Sequence, residues 1–407
     1  TDIERRGIQL DDSRVEQVYL DKTEEREKRR YELEQLTGGI NTNSTPQLRE
    51  YLYTTAKFKV PRDGTRREML TPSGEPSTAK EAILALKPTN RTQRDFLAAY
   101  KSTKRLEGLI TKYLQKMRDC CSESEGLLRA NFNQCVTTTH RLSSTGKRYN
   151  IQLQNISREL KPLIKSRHEG WYIMEVDYSQ LEFRIAVDLG DDKQGKEDIA
   201  DERDVHAFTA TTLFDDFAAA TGASRKSLRT KAKAYTFRPL FGGSAGSQRE
   251  QEYYAAFKAR YHGVTATQDA WVREAVITTD HSLSLPTGLR FYYPTLKLKK
   301  SGKYQGENQV RNAPIQNFAS AEVTLLAVGM LWHWLREQEK ESFIVATVHD
   351  SIVLEVHPDE WEEVSDVAER IMTVKVPELL YYLYDYRIAV PLEVEIDKCT
   401  HWGEPIN

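Results

Sequence analysis

Cysteine is scarce, four in 407 residues. Cys120, Cys121, Cys135 and Cys399 make no CxxC pair and no zinc-ligand spacing. That excludes a disulfide framework or a zinc ribbon and leaves reduced thiols in a reducing compartment. Long apolar runs are missing too. The opening TDIERRGIQLDD holds no apolar core of a signal peptide. The longest apolar stretch, VTLLAVGMLWHWL at 323–335, is too short and interrupted to span a bilayer, so it reads as a buried or amphipathic helix. Excess charge of either sign is absent, with 58 Lys and Arg against 60 Asp and Glu. That balance neither requires nor forbids a nucleic-acid partner, because the placement of positive charge matters more than its sum. Internal repeats and low-complexity segments are also lacking. What remains, 39% hydrophobic and 29% charged residues, is a soluble globular chain long enough for two or three domains' worth of core.

Along the chain, residues 21–36 are charged on nearly all faces and stop at Gly38–Gly39, which predicts a solvated helix with a glycine cap. A loop rich in Pro, Gly and Thr follows at 61–77. Thr78 and Glu81 then have capping-box spacing for a short helix. Over 90–118, Phe96, Leu97, Tyr100, Leu106, Leu109, Ile110, Tyr113, Leu114 and Met117 recur at threes and fours, the mark of an amphipathic helix. Its other face carries Arg91, Arg94, Lys101, Lys104, Arg105, Lys112 and Lys116. WYIMEVD (171–177) is strand-like, SQLEFRIAVDL helical, and 204–262 helical apart from breaks at Gly222 and FRPLFGG. The spacing predicts a hairpin over 289–305 turning at Ser301–Gly302, a helix from about 313 to 340, and another near 358–373. Mixed strands with helices set apart make an α+β core with helical appendages.

FIVATVHDSIVLEV (343–356) reads as two strands joined by a tight turn, with His349 and Asp350 at the tip. A lone carboxylate there is expensive to desolvate. Asp177 ends another apolar strand and would be equally exposed to that cost. Side by side the two would repel, and a divalent cation between them reverses the penalty; hard oxygen ligands suit Mg²⁺. Taken singly, each aspartate is better explained as a turn cap. A third segment, SRKSLRTKAKAYTFRPLFGG (224–243), has six cations between 225 and 238 and no acid. Arg229, Lys233, Phe237 and Phe241 recur every four residues as a helical stripe, in which cations can grip successive phosphates and aromatics can pack on a sugar or base.

DYSQLEFR (177–184), the stripe R-x₃-K-x₃-F-x₃-F-G (229–242) and VHDS (348–351) resemble motifs A, B and C of the bacterial DNA polymerase I family, family A. Collinear matches cover nearly the whole chain: GIQLD, INTNSTPQLREYL, TPSGEPSTAKEAI, THRLSS with LQNI, DVHAFTATTLF, TGLRFYYP, NAPIQ and PLEVEIDKCTHW. The resemblance implies a right-hand fold with an antiparallel-sheet palm, a helical thumb and helical fingers. Residues 1–22 would start the module, 23–138 form the thumb, 139–199 and 287–407 the palm, and 200–286 the fingers. The implied activity is template-directed DNA synthesis by two-metal phosphoryl transfer from dNTPs to a primer 3′-hydroxyl.

By the same resemblance, Asp177, Asp350 and the Tyr178 carbonyl would hold two Mg²⁺ ions, with Mn²⁺ able to substitute. Arg229, Lys233 and His206 would bind the triphosphate, with Lys233 also a proton donor to pyrophosphate. Phe237 would pack on the sugar, Gln180 and Phe241 complete the nucleotide site, and Glu182 exclude a ribose 2′-hydroxyl. Primer-template DNA would meet Arg141, Gln154, Asn155, Asn312, Gln316 and His349. The expected setting is a monomer in the cytoplasm of a bacterial or phage-infected cell, without membrane contact and without a 3′–5′ exonuclease in this chain. An exonuclease domain could belong to a longer natural polypeptide.

The departures are specific. Ser351 stands where the family has Glu, removing an accessory carboxylate. Phe241 replaces the tyrosine whose hydroxyl bonds the gate glutamate, so Glu182 must find another partner or be held less rigidly. Arg238 and Pro239 follow Phe237, and a proline without an N–H should kink the helix there. A two-metal nuclease would have no triphosphate for the stripe to hold, and a single-subunit RNA polymerase would not carry Glu182 at the gate. A dead primer-template-binding module would lack one of Asp177, Asp350 or Lys233; all are present.

Overall fold

The computed structural model describes residues 1–63, 67–134, 136–146, 148–243, 246–299, 302 and 304–406; Cys135 and the turn residue Ser301 lie outside them. The chain forms two compact units: Leu10–Leu128 with Tyr149–Ile151, and Thr1–Gln9 with Arg129–Arg148 and Gln152–Asn407.

The first unit is helical. Its charged helix runs Asp12–Thr37, beginning earlier than its composition implied because Asp11 Oδ1 accepts from the Arg14 N–H at 3.0 Å. It ends at Gly38 in the left-handed region, φ 71. The second long helix starts where Asn90 accepts from Gln93 N at 2.8 Å. It spans Arg91–Leu109, passes through a π turn at Ile110–Leu114 and continues over Gln115–Ser124. Leu33, Leu52, Phe96 and Leu97 fill the core between them. The Thr78–Glu81 capping box does not form. Ser77 Oγ takes the Ala79 N–H at 3.2 Å, and the helix Lys80–Ala85 begins behind Ala79 with no side-chain cap.

The second unit is built on an antiparallel four-stranded sheet: β1 (Tyr172–Tyr178), β2 (Phe343–Val348), β3 (Ser351–Val356) and β4 (Val394–Cys399), in the order β2-β3-β1-β4. β2 and β3 form the expected hairpin, and every residue of both is buried, so the period-two contrast of a half-solvated sheet is absent. The same unit holds α1 (Leu181–Leu189), α2 (Val205–Leu213), α3 (Gly222–Thr236), α4 (Gln248–Arg260) and α5 (His262–Ile277), of which α3 and α4 pack on α2 and α5 packs on α1. A 31-residue helix, α6 (Glu307–Glu337), is long and apolar enough by length and composition to cross a membrane. The apolar stretch 323–335 is thus only its second half. Its Val310, Phe318, Val323, Ala327 and Leu331 are fully buried in the protein core, as in the central helix of a globular unit.

Two expectations change. The strands of 289–305 belong to two hairpins, because Arg290–Tyr292 pairs back to Ser282–Ser284 while Lys297–Leu298 pairs with Tyr304–Gln305. And Pro239 does not kink a continuing helix: α3 stops at Thr236. Arg238 precedes the proline and is disfavoured in the α region, and Pro239 has no N–H to donate. Phe237 is therefore the C-cap and Phe241 lies in the following turn, so the four-residue stripe is helical only through Lys233.

Candidate active site

Strand register brings the two aspartates together. Asp177 is the penultimate residue of β1 and faces Ser351 of β3 on one side and Glu395 of β4 on the other. Asp350 precedes Ser351 in the hairpin turn, and its carbonyl accepts from the Tyr178 N–H at 3.4 Å. Neighbouring strands lie about 4.8 Å apart, so the carboxylates occupy offset positions at one end of the sheet. Burial, the Asp350 charge and the Glu175 charge push the Asp177 carboxyl up to about 7. Burial also raises Asp350, against smaller opposing contributions that include His349 and Arg141. A pair that resists double ionisation is the donor set a hard divalent cation fits. Among the described residues no group of three or more His, Cys, Asp or Glu is arranged to hold a metal ion.

The hairpin tip is held from below by Gln154, which is 7% exposed. Its Nε2 donates to the Thr347 carbonyl at 2.6 Å and its Oε1 accepts from the His349 N–H at 3.0 Å. Both ends of the Gln154 amide are thus engaged with the hairpin. Those bonds hold His349 at φ 57, in the left-handed region. Burial and the Arg141 charge lower the His349 pKa. Ser351 Oγ lies 3.1 Å from the Val348 carbonyl and 3.3 Å from Glu175 Oε1. Glu175 itself is buried and satisfied by Lys161 at 2.7 Å and Trp402 Nε1 at 2.7 Å. Neighbouring Asn155 is exposed, its Nδ2 donating to Gln152 at 2.6 Å.

A cleft of about 320 Å³ opens beside the tip, lined by Asp350, His349, Arg141, Glu182, Gln180, Phe183 and Phe237 among others. Gln180, at φ 52, precedes α1 and turns the chain so that Glu182 falls in its first turn. Glu182 is not left without a partner. Its Oε1 is paired with Arg141 Nη2, and Arg141 Nε donates to Ser320 Oγ at 3.1 Å. Of the two outcomes the missing hydroxyl left open, another partner is the one found, not a loosely held Glu182; the sequence had no signal that a residue 41 positions upstream would supply the charge.

Phe237 stacks on Phe183, with centroids 5.4 Å apart and planes at 28°, and meets the His206 edge at 5.7 Å. His206 shares a hydrogen bond with Thr236 Oγ1 at 2.9 Å, and burial followed by the Lys233 and Arg229 charges lowers its pKa. Arg229 is paired with Asp204, the N-cap of α2, and lines a second cleft of about 260 Å³ with Gln180 and Phe183. Burial works against the Asp204 anion, but bonds from Arg229 and the Ala207 N–H hold its carboxyl low. Lys233, one turn on, is exposed and lines neither cleft. The Phe241 carbonyl accepts from Asn312 Nδ2 at 2.8 Å, leaving Asn312 Oδ1 buried without a partner. Gln316 follows one turn later on α6, half-buried. Phe183, Asp204 and Ser320 were missed in the sequence. Phe183 and Asp204 lie inside quoted motifs, whereas Ser320 carries no local signal.

The family model described as DNA polymerase family A matches residues 13–404. The thermostable DNA polymerase I of Thermus aquaticus is 27% identical over 416 residues, covering 98% of this chain and 46% of that protein. DNA polymerase I of Pseudomonas aeruginosa is 27% identical over 351 residues, covering 82% and 36%. The chain thus spans about half the length of the first of these relatives, and less of the second. In fold it is similar to the POL domain of Pol1 from M. smegmatis, solved in complex with DNA primer-template and dNTP. The TM-score is 0.78 at 23% identity, over 99% of this chain and 69% of that one.

Proposed function

The chain belongs to DNA polymerase family A, and on that premise we propose that it joins deoxynucleotides to a primer 3′-hydroxyl under the direction of a DNA template, releasing pyrophosphate. The observation that carries this reading is the meeting of Asp177 and Asp350 at one end of the sheet, with Asp350 lining a cleft shared with Glu182, Arg141 and Phe237. In hand terms the sheet is the palm, 23–138 the thumb and 200–286 the fingers.

Asp177, Asp350 and the Tyr178 carbonyl are the oxygen donors for two Mg²⁺ ions, or Mn²⁺ in their place. When bound, such ions supply a lowered pKa for the primer hydroxyl and countercharge for the triphosphate. The other roles belong to the protein's own side chains. Arg229 exchanges Asp204 for an incoming phosphate, and exposed Lys233 joins it one turn on and protonates the leaving pyrophosphate. His206, with a lowered pKa, contacts the phosphates as a neutral donor. Phe237, braced by Phe183, packs on the sugar, Gln180 and Phe241 flank it, and Glu182 fills the space a 2′-hydroxyl would need. Arg141, Asn312 and Gln316 face the minor groove, where acceptors common to all base pairs report geometry without sequence; His349 and Asn155 meet the DNA backbone. The cationic stripe argues against a nuclease, and Glu182 against a polymerase of ribonucleotides.

The test is primer extension with dNTPs or rNTPs in Mg²⁺, alongside Asp350→Ala. The unaltered chain is expected to extend with dNTPs, and the variant to bind primer-template normally but add no nucleotide. A variant retaining more than about a tenth of the single-turnover rate would sink the reading, because losing a metal ligand costs several kcal/mol.

A further inference from the structure

Glu182 presents its carboxylate to the cleft, and position 241 is a phenylalanine with no hydroxyl to offer it. The countercharge comes instead from Arg141, which pairs with Glu182 through Nη2 and is itself fixed by Nε on Ser320 Oγ at 3.1 Å. The two charged side chains are only 27% and 25% exposed, so their attraction is poorly screened by solvent. Ser320 is buried in the π-helical turn Phe318–Thr324 of α6, a rigid base for the guanidinium. A guanidinium carries five N–H donors in one planar fork. The contacts to Ser320 and Glu182 leave the rest on a group that also lines the cleft beside Asp350.

We propose that Arg141 sets the position of Glu182, and that selection against the ribose 2′-hydroxyl therefore depends on the state of the primer terminus. This rests on the polymerase reading above. One rigid fork serves both tasks. Whatever pulls Arg141 out of plane at a distorted terminus also moves the carboxylate that excludes the 2′-hydroxyl. Arg141 is in this respect a positioning residue for Glu182.

The experiment measures the ratio of incorporation efficiencies for dCTP and CTP on one primer-template, with matched and mismatched primer termini. Arg141→Gln is expected to lower the ratio at a matched terminus about tenfold, the scale of losing a charge-assisted bond, and Arg141→Lys to lower it less. A purely structural or DNA-binding role would slow both nucleotides alike and leave the ratio unmoved. In the unaltered chain the ratio should fall at a mismatched terminus, and in Arg141→Gln the two termini should give the same value. Both nucleotides incorporated by Arg141→Gln at a ratio within about twofold of the unaltered chain would overturn the positioning role. Equal ratios at both termini in the unaltered chain would overturn the coupling. Ser320→Ala, which keeps both charges, supplies the same reading if Arg141→Gln does not fold: a ratio lowered about threefold supports the proposal and an unchanged one overturns it. Failure of the unaltered chain to extend with either nucleotide would be failure of the polymerase reading, a separate result.

Discussion

Asp177 has a carboxyl pushed up to about 7 from an ordinary 3.8, by burial, Asp350 and Glu175 in that order. Between those two values the folded protein holds a proton that the unfolded chain has released. Stability from this group is therefore full below the lower value and declines as pH rises through the upper one. Asp350 shifts in the same direction. His206 and His349 have lowered values and act oppositely, favouring the fold as pH rises toward 6.5. The comparison that isolates Asp177 is thus the difference between the unaltered chain and Asp177→Asn. In chelator, the variant's advantage in melting temperature should grow from pH 5 to pH 8, since only the unaltered chain acquires the repelling charge. Millimolar Mg²⁺ should shrink that advantage, because a cation binds the ionised pair and must displace its proton. Parallel melting curves at all pH values, with or without Mg²⁺, would show that the two carboxylates do not share one field.

Among the elements, the hairpin is the one whose fold was legible before its support was. Two apolar half-runs around His349–Asp350 announce a turn, and the register with β1 follows once Tyr172–Tyr178 is recognised as a strand. What holds the tip could not be read locally, since Gln154 lies 193 and 195 positions from the backbone groups it binds. Helix ends show the same division. Gly38 and Asn90 cap where their residue types say they should. The Thr78 cap fails because the helix starts one residue later, behind Ala79, and α3 ends before Pro239 because steric restriction acts on the preceding residue. Gln154→Ala should separate support from DNA contact. It removes two hydrogen bonds from a turn that keeps His349 in a sparsely populated region, a loss of about 1–3 kcal/mol. The expected outcome is slower nucleotide addition, by about tenfold, with primer-template affinity nearly unchanged. Titration of labelled primer-template against the variant decides it; a matching loss of affinity would return Gln154 to the DNA interface.

Over the whole molecule, composition said least where it mattered. A formal charge of −2 describes a protein with no overall attraction for a polyanion. The folded chain sorts its charge by face. On the helical unit, Arg94 and Lys101 are exposed two turns apart on one side of the helix that also buries Phe96 and Leu106, and Lys112 is exposed in the π turn beyond. Not every cation of this segment is equally available: Arg91 pairs with Asp95 and Lys104 with Glu107. Exposed cations along one face of a helix can each meet a backbone phosphate, and each such contact releases condensed counterions. Binding of primer-template should therefore weaken steeply with salt despite the negative sum. Replacing Arg94, Lys101 and Lys112 together by Ala should lower the slope of log affinity against log salt by about 2–3, at close to 0.9 per lost contact. The efficiency of dNTP use at saturating DNA should stay the same, since none of the three lines either cleft. Measured between 50 and 200 mM salt, a slope equal to that of the unaltered chain would mean that this face is solvated and that the phosphates are gripped elsewhere.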